Sequence, residues 1–231
     1  MRRMTENKVE KSIITKKQFS KSVILWSPLI VIGSGHLTAQ IAGAWLGAWA
    51  WLPLTIVFWT TLAVFIVGGG GRAAVHRWLA RPQGSRGWLL LAVLVGFIPF
   101  IVFLQNWKLL APIWIWLPWL LFALINPWLE EGYWRGVLLD ASADWKAWKS
   151  VLYTSVVYAA SHPLMWGVNS FANRELIVFA STFVMGVCWA IIYKRTQSLR
   201  YAVFSHILVD LFNLSVAIFL NLNIAHTARL A

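Results

Sequence analysis

Long apolar segments dominate this sequence, and the segment from about 111 to 139 restricts the fold most because it also carries ionisable side chains. Glu130, Glu131 and Arg135 stand among Trp, Leu and Val residues in its second half. Each such charge costs on the order of 3 kcal/mol at the centre of a membrane helix, even on lenient scales. A membrane helix that carries three of them must therefore pair them or use them.

The composition agrees with a membrane protein. Hydrophobic residues make up 59% of the 231 residues and charged residues only 12%, whereas a soluble domain carries about 25% charged residues. We therefore expect an all-α, polytopic transmembrane helix bundle with about seven spans, within a range of six to eight. The net charge of +12 comes from basic residues between the apolar segments, so we expect a lipid bilayer and no nucleic acid as a partner.

The apolar segments divide the chain into four parts. We expect a cytoplasmic basic tail (1–21), N-terminal transmembrane helices (22–110), a transmembrane core that holds the candidate site (111–222) and a C-terminal tail (223–231). Four consecutive glycines, 68–71, lack the Lys-Ser/Thr ending of a phosphate-binding loop and predict a flexible helix exit. The predicted spans are about 23–44, 51–67, 88–104, 111–139, 148–162, 176–193 and 201–222.

Basic residues are distributed unevenly between the two sides of this seven-span arrangement. Sixteen Lys and Arg residues fall on the side of the N-terminus, and only Lys108, Arg174 and Arg229 fall on the other side. Segments rich in Lys and Arg remain in the cytoplasm. The sequence thus predicts a multi-pass protein of the cell membrane with a cytoplasmic N-terminus.

Spacing separates the two adjacent glutamates of the fourth span. Glu131 and Arg135 are i,i+4 neighbours on a helix and are expected to form an ion pair. Glu130 points about 100° away and is left without a cation. This unpaired carboxylate is the first candidate for chemistry.

Two further predicted spans carry ionisable groups at similar depth. Tyr158 and His162 are spaced i,i+4, and His206, Asp210 and Asn213 share one helix face. A rise of ~1.5 Å per residue places all of them, like Glu130, around the middle of the bilayer. That agreement favours one shared site.

These residues resemble the CPBP family of membrane proteins, which includes type II CaaX prenyl endopeptidases and bacteriocin-processing relatives. The resemblance covers about two-fifths of the chain. The three family motifs stand as Glu-Glu-Gly-Tyr-Trp-Arg at 130–135, Tyr-Ala-Ala-Ser-His at 158–162 and His-Ile-Leu-Val-Asp at 206–210. Tyr stands in the second motif where Phe is commoner in the family.

The resemblance implies an intramembrane endopeptidase of the glutamate type that uses no cofactor. Glu130 and His162 would hold and activate a water molecule, and a carboxylate among apolar groups is a suitable base. His206 would donate a hydrogen bond to the oxyanion that forms. Asp210 belongs to the same catalytic set, and either it or Asn213 completes the oxyanion site.

The remaining motif residues are expected to support that site. Arg135 would neutralise Glu131 and fix the helix geometry, and Tyr158 would contribute from the second motif. A membrane-associated peptide or protein is the expected substrate, and a prenylated protein, a leader peptide and a C-terminal sorting anchor remain alternatives.

Two other functions stay open at this point. Glu130, His162 and His206 have the ligand types of a catalytic zinc site with one open position. The sequence contains no His-Glu-x-x-His segment, and Arg135 close by disfavours a bound cation. A non-enzymatic membrane partner or immunity-type protein that keeps the motifs is the other alternative.

Overall fold

Residues 18–223 are described by the computed structural model, and within that range the chain forms helices and turns without a strand. Helix α1 spans Lys21–Leu46 and helix α2 spans Trp51–Phe65, and the two pack against each other. The chain reverses at Gly47, whose φ of 55° belongs to the left-handed region that glycine adopts without strain. Most of the predicted N-terminal and C-terminal tails lies outside the described residues.

The four glycines include a helix end, as predicted, and the flexibility of this exit stays a prediction. Helix α2 is followed by a π-helical turn, Ile66–Gly70, and the helical path breaks at Gly71, whose φ of 69° is positive, before helix α3, Gly71–Trp78. A Cβ atom on Gly70 would lie 2.5 Å from the Trp78 ring. The absence of side chains here permits both the positive φ of Gly71 and close packing against Trp78.

The predicted third span is interrupted. Helix α4 (Gly87–Gly96) ends before Pro99, and helix α5 (Phe100–Asn106) begins after it. Proline lacks the N–H that would continue the helical hydrogen bonds. The two helices therefore meet at a break, which turns out to line the candidate site.

Helix α6, Trp116–Glu131, ends at the two glutamates of the first motif, and the rest of that motif lies beyond the regular α-helix. It continues as a π-helical segment, Gly132–Leu138, and a single turn that forms helix α7, Leu139–Ala141. Widened turns of this kind occur mostly as short insertions in α-helices and frequently at functional sites. Here the widening begins directly after the two glutamates.

The remaining helices are α8 (Ala147–Leu164), α9 (Leu176–Thr196), α10 (Arg200–Phe212) and α11 (Ser215–Phe219). The prediction of one continuous helix over 201–222 is wrong, because Leu214 adopts a left-handed conformation with a φ of 58°. A side chain lies against the end of the helix there: the Ser215 hydroxyl oxygen is 3.1 Å from the Asp210 carbonyl oxygen.

A helical membrane bundle is confirmed. Among the described residues, four helical runs are long and apolar enough to cross a membrane: Lys21–Trp78, Gly87–Leu110, Ile113–Ala141 and Leu176–Thr196. The first run contains the two packed helices α1 and α2. Helices α8 and α10 are not among these runs, so the number of seven spans stays a prediction.

We call the end of the bundle at which Arg77 and Arg200 lie the basic end. Asp140 connects several helices there. Its carboxylate accepts hydrogen bonds from Arg77 at 2.6 Å, Trp78 at 3.0 Å and Tyr193 at 2.7 Å. Arg200 donates to the Leu79 carbonyl at the same end. These contacts connect α3, α7, α9 and α10.

We call the opposite end, where residues 165–175 connect α8 to α9, the loop end. Asn169 donates to the Ala39 carbonyl of α1 at 2.8 Å, and Asn221 accepts from the Phe171 backbone at 2.9 Å. Amide side chains make these contacts between elements, and Arg174 donates to the Gly167 and Val168 carbonyls within the loop. The two ends of the bundle are therefore chemically different.

Candidate active site

The candidate site is a cavity of about 370 Å³ between α6, α8, α9, α10 and the break at Pro99. This volume is within the range of small-molecule sites. All four residues that were predicted to be catalytic line it, and so do two of the supporting residues. These six are Glu130, Tyr158, His162, His206, Asp210 and Asn213.

Glu130 is buried and lacks a cation, as its position on the helix predicts. One carboxylate oxygen accepts a hydrogen bond from the Asn126 side-chain amide at 3.1 Å. The other oxygen, Oε2, is buried and has no hydrogen-bond partner within residues 18–223. A buried acceptor atom without a partner is costly, and here it belongs to a side chain that lines the cavity.

Asn126 is a site residue to which the sequence assigned no role. The Trp59 indole N–H donates to its carbonyl oxygen at 2.9 Å. Since an indole can only donate, this contact fixes the orientation of the amide. The amide nitrogen then faces both Glu130, at 3.1 Å, and Asp210, at 3.2 Å.

The signal for Asn126 was visible in the sequence. It is a polar residue in an apolar segment and precedes Glu130 by four positions, which is one helical turn. The partner across the bundle, Asp210, is 84 residues away along the chain. Helical spacing alone therefore reveals only one of the two contacts.

Glu131 is directed away from the cavity and is fully buried. Its Oε1 atom accepts a hydrogen bond from Arg135 at 2.9 Å, the i,i+4 pair that the spacing predicted. The same oxygen lies 2.9 Å from His206 Nδ1. Glu131 and Arg135 thus form a layer behind the site and do not line it.

Arg135 is held by aromatic faces as well as by Glu131. Its guanidinium carbon lies 4.2 Å from the centre of the Tyr158 ring and 5.1 Å from that of Trp189. Such cation–π contacts are worth about 2 kcal/mol or more when they are desolvated. A Cβ atom on Gly186 would lie 3.3 Å from the guanidinium, so glycine at this position permits the close packing of α8 and α9 around it.

His206 connects the buried layer to the cavity. Its ring stacks on Trp189 with 4.5 Å between ring centres and 19° between planes. Because a carboxylate accepts, the contact with Glu131 places a proton on Nδ1. The second nitrogen, Nε2, faces Asp210 at 3.8 Å, which exceeds hydrogen-bonding distance.

His162 lines the same cavity. Its Nδ1 lies 3.2 Å from the Tyr158 carbonyl oxygen. A carbonyl can only accept, so this contact requires a proton on Nδ1. In the neutral ring Nε2 then keeps its lone pair and can accept a proton or a hydrogen bond from water.

Asp210 and Asn213 complete the polar floor of the cavity. The Ser215 hydroxyl donates to the Asn213 side-chain oxygen at 2.6 Å. This contact leaves the Asn213 amide nitrogen as a donor, whereas Asp210 accepts from Asn126. The break after α10 therefore positions both residues, through a contact that no helix-based pattern includes.

Several of the groups at this cavity are also ligand types for a metal ion. Between residues 18 and 223, no three His, Cys, Asp or Glu side chains are placed to hold a metal ion together. The expectation that no metal is needed stays a prediction.

Comparison with protein families supports the resemblance. Residues 112–212 match the family described as type II CAAX prenyl endopeptidase Rce1-like. The matched segment contains all three motifs, so the predicted resemblance to this protease family is confirmed for that part of the chain. It supports an intramembrane endopeptidase of the CAAX type in general and a membrane-associated protein substrate. Neither a curated protein nor a solved structure matches the chain.

Proposed function

We propose that this protein hydrolyses a peptide bond of a membrane-associated substrate with a water molecule that Glu130 and His162 activate. One observation carries the proposal. Glu130 Oε2, which has no partner in the described part of the chain, and His162, whose Nδ1 is bonded to a carbonyl, line the same cavity. Two proton acceptors at one cavity are the arrangement that activation of water requires.

The proposed reaction begins with proton transfer to Glu130. The water oxygen attacks the peptide carbonyl carbon as its proton passes to the Glu130 carboxylate, and a tetrahedral oxyanion forms. When the C–N bond breaks, the protonated Glu130 returns the proton to the leaving amine. The products are a carboxylic acid and an amine, and the proton that the acid then loses passes to the amine, so that a carboxylate and an ammonium group result. His162 accepts a hydrogen bond from the water and orients its lone pair toward the carbonyl.

The oxyanion requires donors that are already in place. His206 and Asn213 line the cavity, and we assign this role to His206 Nε2 and the Asn213 amide nitrogen. His206 has a carboxylate near each ring nitrogen, Glu131 at 2.9 Å and Asp210 at 3.8 Å. Donation from Nε2 requires a proton on that nitrogen in addition to the one on Nδ1, and these two carboxylates would balance the charge of such a ring.

The remaining residues keep these groups in position. Asn126 holds the Glu130 and Asp210 carboxylates apart from each other with its two amide hydrogens. Glu131 orients His206, and Arg135 supplies the charge that a buried Glu131 needs. Asp210 is a positioning residue for His206 in this scheme.

The test is cleavage of a quenched fluorescent peptide library by the purified protein in lipid vesicles. The Glu130→Gln variant should lose cleavage of every peptide that the wild type cuts, while Glu175→Gln, an exposed glutamate outside the cavity, should keep it. Wild-type rates in the Glu130→Gln variant would refute the role of Glu130 as base. Absence of any cleavage by the wild type would favour the non-enzymatic partner.

Incubation with a chelator distinguishes the proposed mechanism from a zinc-dependent one. We expect unchanged rates after incubation with a strong chelator, because Glu130 and His162 need no metal to accept a proton. Cleavage that disappears with chelator and returns with stoichiometric Zn²⁺ would replace the proposal with a metal-dependent hydrolase.

A further inference from the structure

We infer that the cavity opens toward the outer side of the membrane, so that the substrate is a membrane-anchored polypeptide whose cleaved segment lies on that side. The identification of this polypeptide as a substrate rests on the proposed function. The direction of the opening rests on separate observations of the cavity and of the two ends of the bundle.

The first observation is the depth of the cavity. At ~1.5 Å per residue, the lining residues nearest to the basic end are roughly 16 Å from the helix ends on α6, α8 and α9 and roughly 9 Å on α10. They are Glu130, Tyr158, Met185 and His206. The cavity therefore stops well short of the basic end on every helix that encloses it.

The second observation is what fills the space between the cavity and the basic end. Trp134 and Trp189 are fully buried, Arg135 is 1% exposed and Tyr193 is 4% exposed. Protein interiors of this kind are close-packed and leave no path for a peptide. The aromatic layer closes the cavity on the side of Asp140.

The third observation is where the cavity continues. Its lining includes Ala172 and Asn173 in the loop before α9, and Ile177 in the first turn of that helix. Ile177 is 73% exposed, and Ile98, at the break between α4 and α5, is 50% exposed. The cavity thus reaches the loop end, and its rim is formed by apolar side chains at the surface of the bundle.

The distribution of charge assigns the two ends to the two sides of the membrane. Arg72, Arg77, Arg81 and Arg86 follow α2 or precede α4, and the chain there is joined to the basic end through Asp140 and Thr196. The loop end has Arg174 and Lys108 as its basic residues within the described range. Because segments rich in Lys and Arg stay in the cytoplasm, the loop end faces outward.

The lining of the cavity indicates the chemistry of the segment that enters. Apolar side chains form most of the wall, Glu130 and Asp210 form the acidic floor, and no Lys or Arg is among the lining residues of the described chain. Such a wall fits an uncharged stretch of polypeptide and provides no cation for a terminal carboxylate near the cleaved bond. The exposed apolar rim would be in contact with lipid, where an anchored substrate is held.

Thiol accessibility tests the direction of the opening. Cys188 is the single cysteine, so Cys188→Ala provides a cysteine-free background. Single cysteines are then placed by Ser181→Cys in the cavity, Glu175→Cys at the loop end and Gln83→Cys at the basic end. Intact cells and inverted membrane vesicles are treated with a positively charged, membrane-impermeant methanethiosulfonate, and labelling is quantified.

We expect Ser181→Cys and Glu175→Cys to be labelled from outside intact cells and Gln83→Cys only in inverted vesicles. A negatively charged reagent of the same size should label Ser181→Cys at least several-fold more slowly, because the floor of the cavity is acidic. Labelling of Ser181→Cys only from the side that labels Gln83→Cys would overturn the inference. Labelling only by a membrane-permeant maleimide would overturn it as well, because the cavity would then open to lipid alone.

The result is independent of catalysis. Each cysteine is also placed in the Glu130→Gln background, where the same labelling pattern is expected because the fold is kept. If Glu130→Gln cleaves peptides at the wild-type rate while Ser181→Cys is labelled from outside, the mechanism fails and the direction of the opening stands. If cleavage is lost and labelling comes only from the cytoplasmic side, the direction fails and the mechanism stands.

Discussion

Two neighbouring regions of this bundle each bury a glutamate carboxylate, and they differ in the hydrogen-bond partners that they provide for it. In the buried layer behind the cavity, Glu131 shares one oxygen between Arg135 and His206 at 2.9 Å each. At the cavity, Glu130 receives a single hydrogen bond from the neutral amide of Asn126. The two glutamates are adjacent in sequence, but the turn of the helix places them on different faces.

The difference shows how one helix combines structure and reactivity. A carboxylate with a cation at hydrogen-bonding distance is stabilised as an anion and is a poor proton acceptor. A carboxylate that has only a neutral donor and an unpartnered oxygen is held in a more reactive form. The charged layer is therefore expected to set the stability of the protein, and the cavity side is expected to set its activity.

The largest expected effect concerns the reactive side. Glu130→Gln and His162→Ala should each lower the cleavage rate by roughly 10²-fold or more, the usual scale for a general base. The double variant should be nearly as active as either single variant, because both residues act on one water molecule and such effects are not additive. Rates are measured in membranes and normalised to the amount of protein. A double variant whose loss equals the product of the two single losses would indicate separate roles.

The next effect concerns the buried layer. Glu131→Gln leaves Arg135 without its carboxylate, and breaking a buried pair costs about 3–5 kcal/mol. We expect a lower membrane abundance and a lower temperature of unfolding in detergent, in addition to reduced cleavage. Asp144→Asn is the matched control, since it removes an exposed ion pair with Lys21 at the basic end.

A comparison of the two glutamate variants then decides between the regions. Glu130→Gln should unfold at nearly the wild-type temperature, because its partner Asn126 is neutral and the amide side chain can still be accommodated. If Glu130→Gln and Glu131→Gln lowered the unfolding temperature equally, the division into a structural and a reactive carboxylate would be incorrect.

A smaller effect is expected at Asp210, which contacts both regions. Asp210→Asn keeps the size of the side chain and replaces an acceptor by an amide that can donate to the oxyanion. We expect the cleavage rate to fall by roughly tenfold or less, which is below the scale of a general base, because donation by the amide compensates in part. A loss as large as that of Glu130→Gln would place Asp210 among the groups that act on the water.

Much of this site was accessible from the sequence because helical spacing is a local rule. The pair of Glu131 with Arg135 and the separate direction of Glu130 both follow from the positions of three residues on one helix. The common depth of His162 and His206 with Glu130 follows from counting residues along three segments. These expectations assume regular helix geometry, and the bond from Arg135 to Glu131 forms even though Arg135 lies in the π-helical segment.

The contacts that were missed are long-range or arise where the helix is irregular. The bond between Glu131 and His206 joins residues 75 positions apart, and Asn126 joins Glu130 to a residue on α10. The left-handed Leu214 ends α10 early and places Ser215 against Asn213. Apolar periodicity does not report such a break, since the residues on both sides of it remain apolar.

The smallest expected effect concerns Tyr158, which is in contact with both regions through its ring. The ring packs over Arg135 at 4.2 Å and edge-on against Trp134 with 5.9 Å between centres. Its hydroxyl group makes no hydrogen bond with residues 18–223. Tyr158→Phe keeps the ring, and cation–π binding to Phe is similar. The variant should therefore change the cleavage rate by less than about twofold and the unfolding temperature by no more than a few degrees.

Tyr158→Leu is the matched variant that removes the aromatic face and keeps an apolar side chain. Loss of the cation–π contact with Arg135 should lower the unfolding temperature, since such a contact is worth up to about 2 kcal/mol when desolvated. It should affect cleavage less than His162→Ala does, because the Tyr158 carbonyl that orients His162 belongs to the backbone and is retained. If Tyr158→Phe instead abolished cleavage at normal abundance, the hydroxyl group would belong to the reactive region, and the boundary between the two regions would have to move to include it.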